Sequence, residues 1–144
     1  MNPSAFDPQR FLIAQQPVIA TLYNELRAGR KRSHWMWFVF PQLAGLGNSP
    51  MAQRFALGSL ADAQAYLAHP ELGPRLRECC ALVLAVPDRC ISAILGSPDD
   101  LKFRSCLTLF QMAAPEHALF RQCLERFYGG QLDPRTVDAL AEAT

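Results

Sequence analysis

Four times in this chain an aspartate or a serine is followed at once by proline: Asp7-Pro8, Ser49-Pro50, Ser97-Pro98 and Asp133-Pro134. Each pair marks the start of a helix. The short polar side chain accepts a hydrogen bond from a free helix N–H, and proline at the first helical position has its φ preset and no N–H to lose. Apolar residues then recur at helical spacing. Val18, Leu22 and Leu26 run beside Ile19 and Tyr23 and stop at Gly29. Leu76, Cys80, Val83 and Leu84 follow Pro74, while Leu119, Phe120, Cys123, Leu124 and Phe127 follow Pro115 and end at Gly129-Gly130. Ser59 with Asp62 makes a capping box ahead of "LADAQAYLA". No segment sustains strand alternation with hairpin turn chemistry. The expected fold is all-α, a multihelical single domain over residues 1–144.

"HWMWFVF", residues 34–40, is the ambiguous piece. Aromatic and β-branched content favours a strand, but a lone strand among helices has no partner for its backbone groups. The consistent solution is a short, fully buried helix, capped by Ser33 and stopped at Pro41.

Half of the residues are apolar and 19% are charged, which excludes a disordered chain, and the net charge of +1 gives no global attraction to nucleic acid or membrane. Apolar runs such as "WMWFVF" and "ALVLAV" fall far short of the roughly 20 residues that span a bilayer. The first residues have neither the basic nor the apolar region of a secretory signal. Cys79, Cys80, Cys90, Cys106 and Cys123 are odd in number and form no C-x-x-C. They point to reduced thiols in a cytoplasmic protein. His34, His69 and His117 are too scattered to suggest a metal site, and no cofactor is expected.

The segments "AGRKRSHWMWFVFPQLAGLGNSPMAQRFAL", "AYLAHPELGPRLREC" and "ILGSPDDLKFRSCLTLF" resemble a bacterial and fungal family called domain of unknown function 1810, and "RFYGGQLDPRTVDAL" is similar to its C-terminal end. The resemblance runs from about residue 7 to 140. It implies a multihelical fold with an unusually short buried central helix, and no established activity. Members are often labelled calpastatin. Calpastatin inhibitors are disordered and poor in apolar residues, which this chain is not.

Two stretches carry the candidate chemistry. In the first, Trp35, Trp37, Phe38 and Phe40 suit a core helix, while His34 and Gln42 flank it. His34 is either a satisfied structural histidine or a titrating group at the lip of a pocket. Arg27, Arg30, Lys31 and Arg32 follow a helix C-terminus, where cations complement the dipole. Lys31 alone stays a ligand candidate. Gly45 and Gly47 precede the Pro50 helix without forming a Walker or dinucleotide pattern.

In the second stretch, Ser97 and Asp100 suggest another capping box, and Asp100 and Arg104 stand one turn apart as a possible pair. Ser105 and Thr108 lie on one helical stripe, where hydroxyls usually bond back to their own helix. The sharper reading joins both stretches into one pocket for a small anionic, nucleotide-like or ADP-ribose-like ligand. His34 and Asp100 would handle protons if the site is catalytic. Lys31, Trp35, Gln42, Lys102, Ser105 and Thr108 would hold the ligand. The alternatives are a protein–protein interaction module or a homo-oligomer without catalysis, and, least favoured by the mixed charge, nucleic-acid binding.

Overall fold

The computed structural model describes residues 6–142. In chain order, α1 (Gln9–Gln15) passes through a 3-10 turn (Gln16–Val18) into α2 (Ile19–Ala28), and a loop leads to α3 (Met36–Val39). Then come α4 (Pro50–Phe55), α5 (Leu60–Ala68), α6 (Leu72–Ala85) and α7 (Ile91–Leu95). The last three are α8 (Asp99–Ala113), α9 (Ala118–Tyr128) and α10 (Pro134–Glu142). The architecture is all-α, with α8 packed against α5, α7, α9 and α10. Among the described residues the only extended pairing is an isolated parallel bridge between Leu43 and Leu57, in which Leu57 N–H donates to the Gln42 carbonyl at 2.9 Å. No helix among the described residues is long and apolar enough to cross a membrane.

Three starts, those of α4, α5 and α10, follow local capping chemistry. Ser49 Oγ accepts from Ala52 N–H and Ser59 Oγ from Asp62 N–H, both at 3.1 Å. The return bond of the Ser59 box goes one residue early, from Gly58 N–H to Asp62 Oδ2 at 3.2 Å. Asp133 Oδ2 accepts from Thr136 N–H at 3.1 Å. Gly29 and Gly129 close α2 and α9 with φ of 71° and 63°, a conformation that favours glycine. The Ser97 start departs from expectation. The Ser97-Pro98 bond is cis, α8 begins at Asp99, and Asp100 N–H donates to the Gly96 carbonyl at 2.9 Å, so no Ser97–Asp100 box forms.

At the centre sits α3, four residues long and flanked by Trp35 and Phe40, both wholly buried. So short a helix has no stability of its own. Side chains from earlier helices hold it instead. Gln15 Nε2 donates to the Phe38 carbonyl at 2.6 Å, and Trp35 Nε1 donates to Glu25 Oε1 at 2.9 Å. Ser33 does not cap α3; its hydroxyl donates to Glu25 Oε2 at 2.6 Å. Trp37 is half-buried, unlike the other three aromatics of the run. Aromatic contacts extend the core outward, with Phe40 on Phe103 at 4.7 Å and Phe11 on Tyr66 at 5.2 Å between ring centres. Cys79, Cys80, Cys106 and Cys123 are buried free thiols, and Cys90 is exposed ahead of α7.

Candidate functional site

A cleft of about 540 Å³ opens where the first turns of α4, α8 and α10 meet the loop that follows α3. Of the candidate residues, Gln42, Lys102 and Ser105 line it. The others do not. His34 is exposed in the loop before α3. Trp35 is wholly buried with its N–H given to Glu25. Thr108 is also buried, its hydroxyl donating to the Arg104 carbonyl and accepting from Asp133 N–H, both at 2.8 Å. Asp100 faces Tyr128: its backbone carbonyl accepts from the Tyr128 hydroxyl, and its Oδ1 is buried without a hydrogen-bond partner. The Tyr128 phenol is pushed well up, first by burial and then by the Asp100 charge. Lys31 Nζ lies 2.8 Å from Asp99 Oδ2.

Three residues the sequence reading did not single out as ligand-binding complete the cleft. Arg104, instead of pairing with Asp100, donates through Nε to the Gln131 carbonyl at 3.1 Å and through Nη2 to that of Leu132 at 2.7 Å. Arg135 Nη2 donates to the Leu46 carbonyl at 3.1 Å, tying α10 to the loop across the cleft. Asp133 does more than cap α10. Its Oδ2 accepts from Ser105 Oγ at 3.1 Å and Thr136 Oγ1 at 2.6 Å, besides Thr136 N–H. Ser105 also bonds back to the Leu101 carbonyl at 3.3 Å, as a hydroxyl on a helix commonly does.

The resulting electrostatics are one-sided. Lys102, Arg104 and Arg135 bring three cations to the lining, and Asp133 is the one carboxylate there among the described residues. Both arginines have spent only some of their five donors on carbonyls. Leu46, Ala52, Pro98 and Leu101 give apolar walls, and the Gln42 and Asn48 amides can both donate and accept. Among the described residues no group of three or more His, Cys, Asp or Glu could hold a metal ion.

Beneath the adjoining loop, Glu25 organises residues 32–35. Burial alone would push its carboxyl up. Hydrogen bonds from the Ser33 hydroxyl, from the Arg32 and Ser33 N–H groups and from Trp35 Nε1 outweigh this and bring it down to about 2. Glu25 is therefore an ionised, inward-facing anchor for the loop that carries Lys31.

A model of the family described as "Protein of unknown function (DUF1810)" matches residues 5–140. Among solved structures, the chain is similar to the conserved hypothetical protein Rv1873 from Mycobacterium tuberculosis. The two are 56% identical with a TM-score of 0.93, covering 94% of this chain and 97% of that one. No curated protein matches the chain.

Proposed function

This chain belongs to the DUF1810 family of proteins of unknown function, and on that premise we propose that the cleft beside α8 binds a small anionic ligand of the nucleotide or ADP-ribose kind. One observation carries the reading: three cations converge on a cleft whose single carboxylate already spends one oxygen on three hydrogen bonds. The volume suits a small molecule rather than a macromolecular partner. Apolar walls beside the amides of Gln42 and Asn48 suit a planar ring with polar edges.

The reading is binding rather than turnover. Among the described residues no histidine or cysteine lines the cleft, and His34 and Asp100 would have to act on a ligand from outside its lining. The second reading, an interaction module or homo-oligomer, draws on the apolar hollow around Leu12, Ile13 and Pro17, where Ile13 is 67% exposed.

Thermal unfolding with AMP, NAD, ADP-ribose and sugar phosphates tests the proposal on wild type and Lys102→Ala. A ligand at one hundred times its dissociation constant adds about 2.7 kcal/mol, a rise of roughly 5–10 °C for a chain of this size. The expected result is a rise in wild type that is reduced or lost in a Lys102→Ala variant with an unchanged unliganded midpoint. Wild type that responds to none of the anions refutes the reading.

A further inference from the structure

Lys31 and Lys102 are the chain's two lysines, and both stand at the same carboxylate. Asp99, the first residue of α8, offers one oxygen to each. Lys31 Nζ is 2.8 Å from Oδ2, a contact ion pair, whereas Lys102 Nζ is 3.7 Å from Oδ1, beyond hydrogen-bond distance. One negative charge thus faces two positive ones, and it is committed to Lys31. The residual charge sits on Lys102, which lines the cleft. Neither Lys31 nor Asp99 lines it.

The asymmetry is built into the scaffold. Lys31 has its backbone N–H on the Ile94 carbonyl at 2.7 Å and its ammonium 5.0 Å from the ring centre of Trp35, which Glu25 anchors in turn. Its side chain is only 8% exposed. The Lys102 side chain is 30% exposed and meets the half-buried Trp37 at 5.5 Å. The fixed lysine therefore neutralises the aspartate, and the looser one is left to the cleft.

We propose that Lys31, without touching the ligand, sets the anion affinity of the cleft by occupying Asp99 and leaving the charge of Lys102 uncompensated. The inference rests on the reading of the cleft as an anion site. Without Lys31, the partly buried Asp99 carboxylate has one neighbouring cation left. Losing its contact partner is costly, so it draws Lys102 away from the cleft and cancels its charge. Lys31 is thus a positioning residue for Lys102.

A ladder of charge variants tests this in the full-length chain, with inorganic pyrophosphate as the probe and lysine labelled with carbon-13 at Cε. Two lysines give two side-chain signals, and that of Lys102 reports binding. Lys31→Met keeps the apolar stem over Trp35 and should weaken binding about fivefold, the factor that corresponds to a charge interaction of about 1 kcal/mol. Asp99→Asn, which leaves Lys102 uncompensated and frees the charge of Lys31, should not weaken it. The double variant Lys31→Met with Asp99→Asn restores a lone, uncompensated Lys102 and should bind as wild type does. Arg30→Gln, which removes an exposed cation from the same loop, should change little.

Should wild type bind while Lys31→Met and Asp99→Asn bind equally well, the proposal is overturned and the anion reading of the cleft survives. The same holds if Arg30→Gln weakens binding as much as Lys31→Met, because the effect is then a general field. Should the Lys102 signal ignore millimolar pyrophosphate in wild type, the anion reading falls and takes the proposal with it. If Lys31→Met does not fold, Lys31→Gln takes its place in the same comparison: weaker binding that Asp99→Asn restores supports the proposal, and binding equal to wild type overturns it.

Discussion

Replacing Glu25 by glutamine separates the charge of this side chain from its shape. The residue is 9% exposed. It accepts at Oε1 from Arg32 N–H at 2.9 Å, Ser33 N–H at 3.1 Å and Trp35 Nε1 at 2.9 Å, and at Oε2 from the Ser33 hydroxyl at 2.6 Å. In Glu25→Gln an amide oxygen can still take the first three, while an NH2 group meets Ser33. A carboxyl lowered from 4.5 to about 2 corresponds to about 3 kcal/mol. Screening at a partly solvated loop reduces this to about 1–2 kcal/mol. The variant should therefore melt about 2–8 °C below wild type at pH 7.

The pH dependence is the sharper part. A depressed carboxyl stabilises the fold fully above its unfolded value and loses that stabilisation as pH falls through the folded one. The gap between wild type and Glu25→Gln should hold from pH 7 to about 5, narrow below about 4.5, and lose more than half its size by about pH 3. Other carboxylates titrate in both proteins and cancel in the difference. The assay is a series of melts followed by tryptophan fluorescence and far-ultraviolet circular dichroism. A gap of the same size at pH 3 and pH 7, or none at pH 7, would refute the charge argument.

Gly73→Ala should be among the most damaging single-methyl changes, because its Cβ would lie 2.0 Å from the Leu67 carbonyl oxygen, a backbone atom that cannot swing aside. Separating α6 from the end of α5 to admit it should cost at least about 3 kcal/mol, read as a lowered midpoint in denaturant. Iodoacetamide on the native protein should modify Cys90 alone, with four further adducts appearing by mass spectrometry after denaturation. The Ser92 hydroxyl and the Ala93 N–H lower the Cys90 thiol, whereas burial pushes those of Cys79 and Cys123 up to about 12. Two or more native adducts would contradict the packing around the buried cysteines.

What could be read from the sequence was local. The caps at Ser49, Ser59 and Asp133 were legible because donor and acceptor lie within three residues of each other. The Ser97 box failed because the Gly96 carbonyl competes for the same N–H, and nothing in the residue types ranks the two acceptors. Ser33 misled for a related reason: Glu25, eight residues upstream, takes its hydroxyl. Within their amphipathic patterns Glu25 and Gln15 look like ordinary surface residues. Their burial is visible only once α3 lies against them. In the cleft, Gln42, Lys102 and Ser105 were within reach because polar residues stood out in two apolar stretches. Arg104 and Arg135 gain their place from carbonyls 27 to 89 residues away. His34 and Asp100 were selected by residue type, which carries no information about direction.

The four-residue α3 has a kinetic consequence. Its surroundings are borrowed: the acceptor for Trp35 comes from α2 and the donor to Phe38 from α1. An isolated turn of helix does not nucleate, so α3 forms only against partners that are already in place. The longer amphipathic helices α6, α8 and α9 are the segments able to persist transiently and find one another. The aromatic run around α3 is then among the last to be sheltered, and while it waits it is the stretch through which a stalled molecule would adhere to its neighbours.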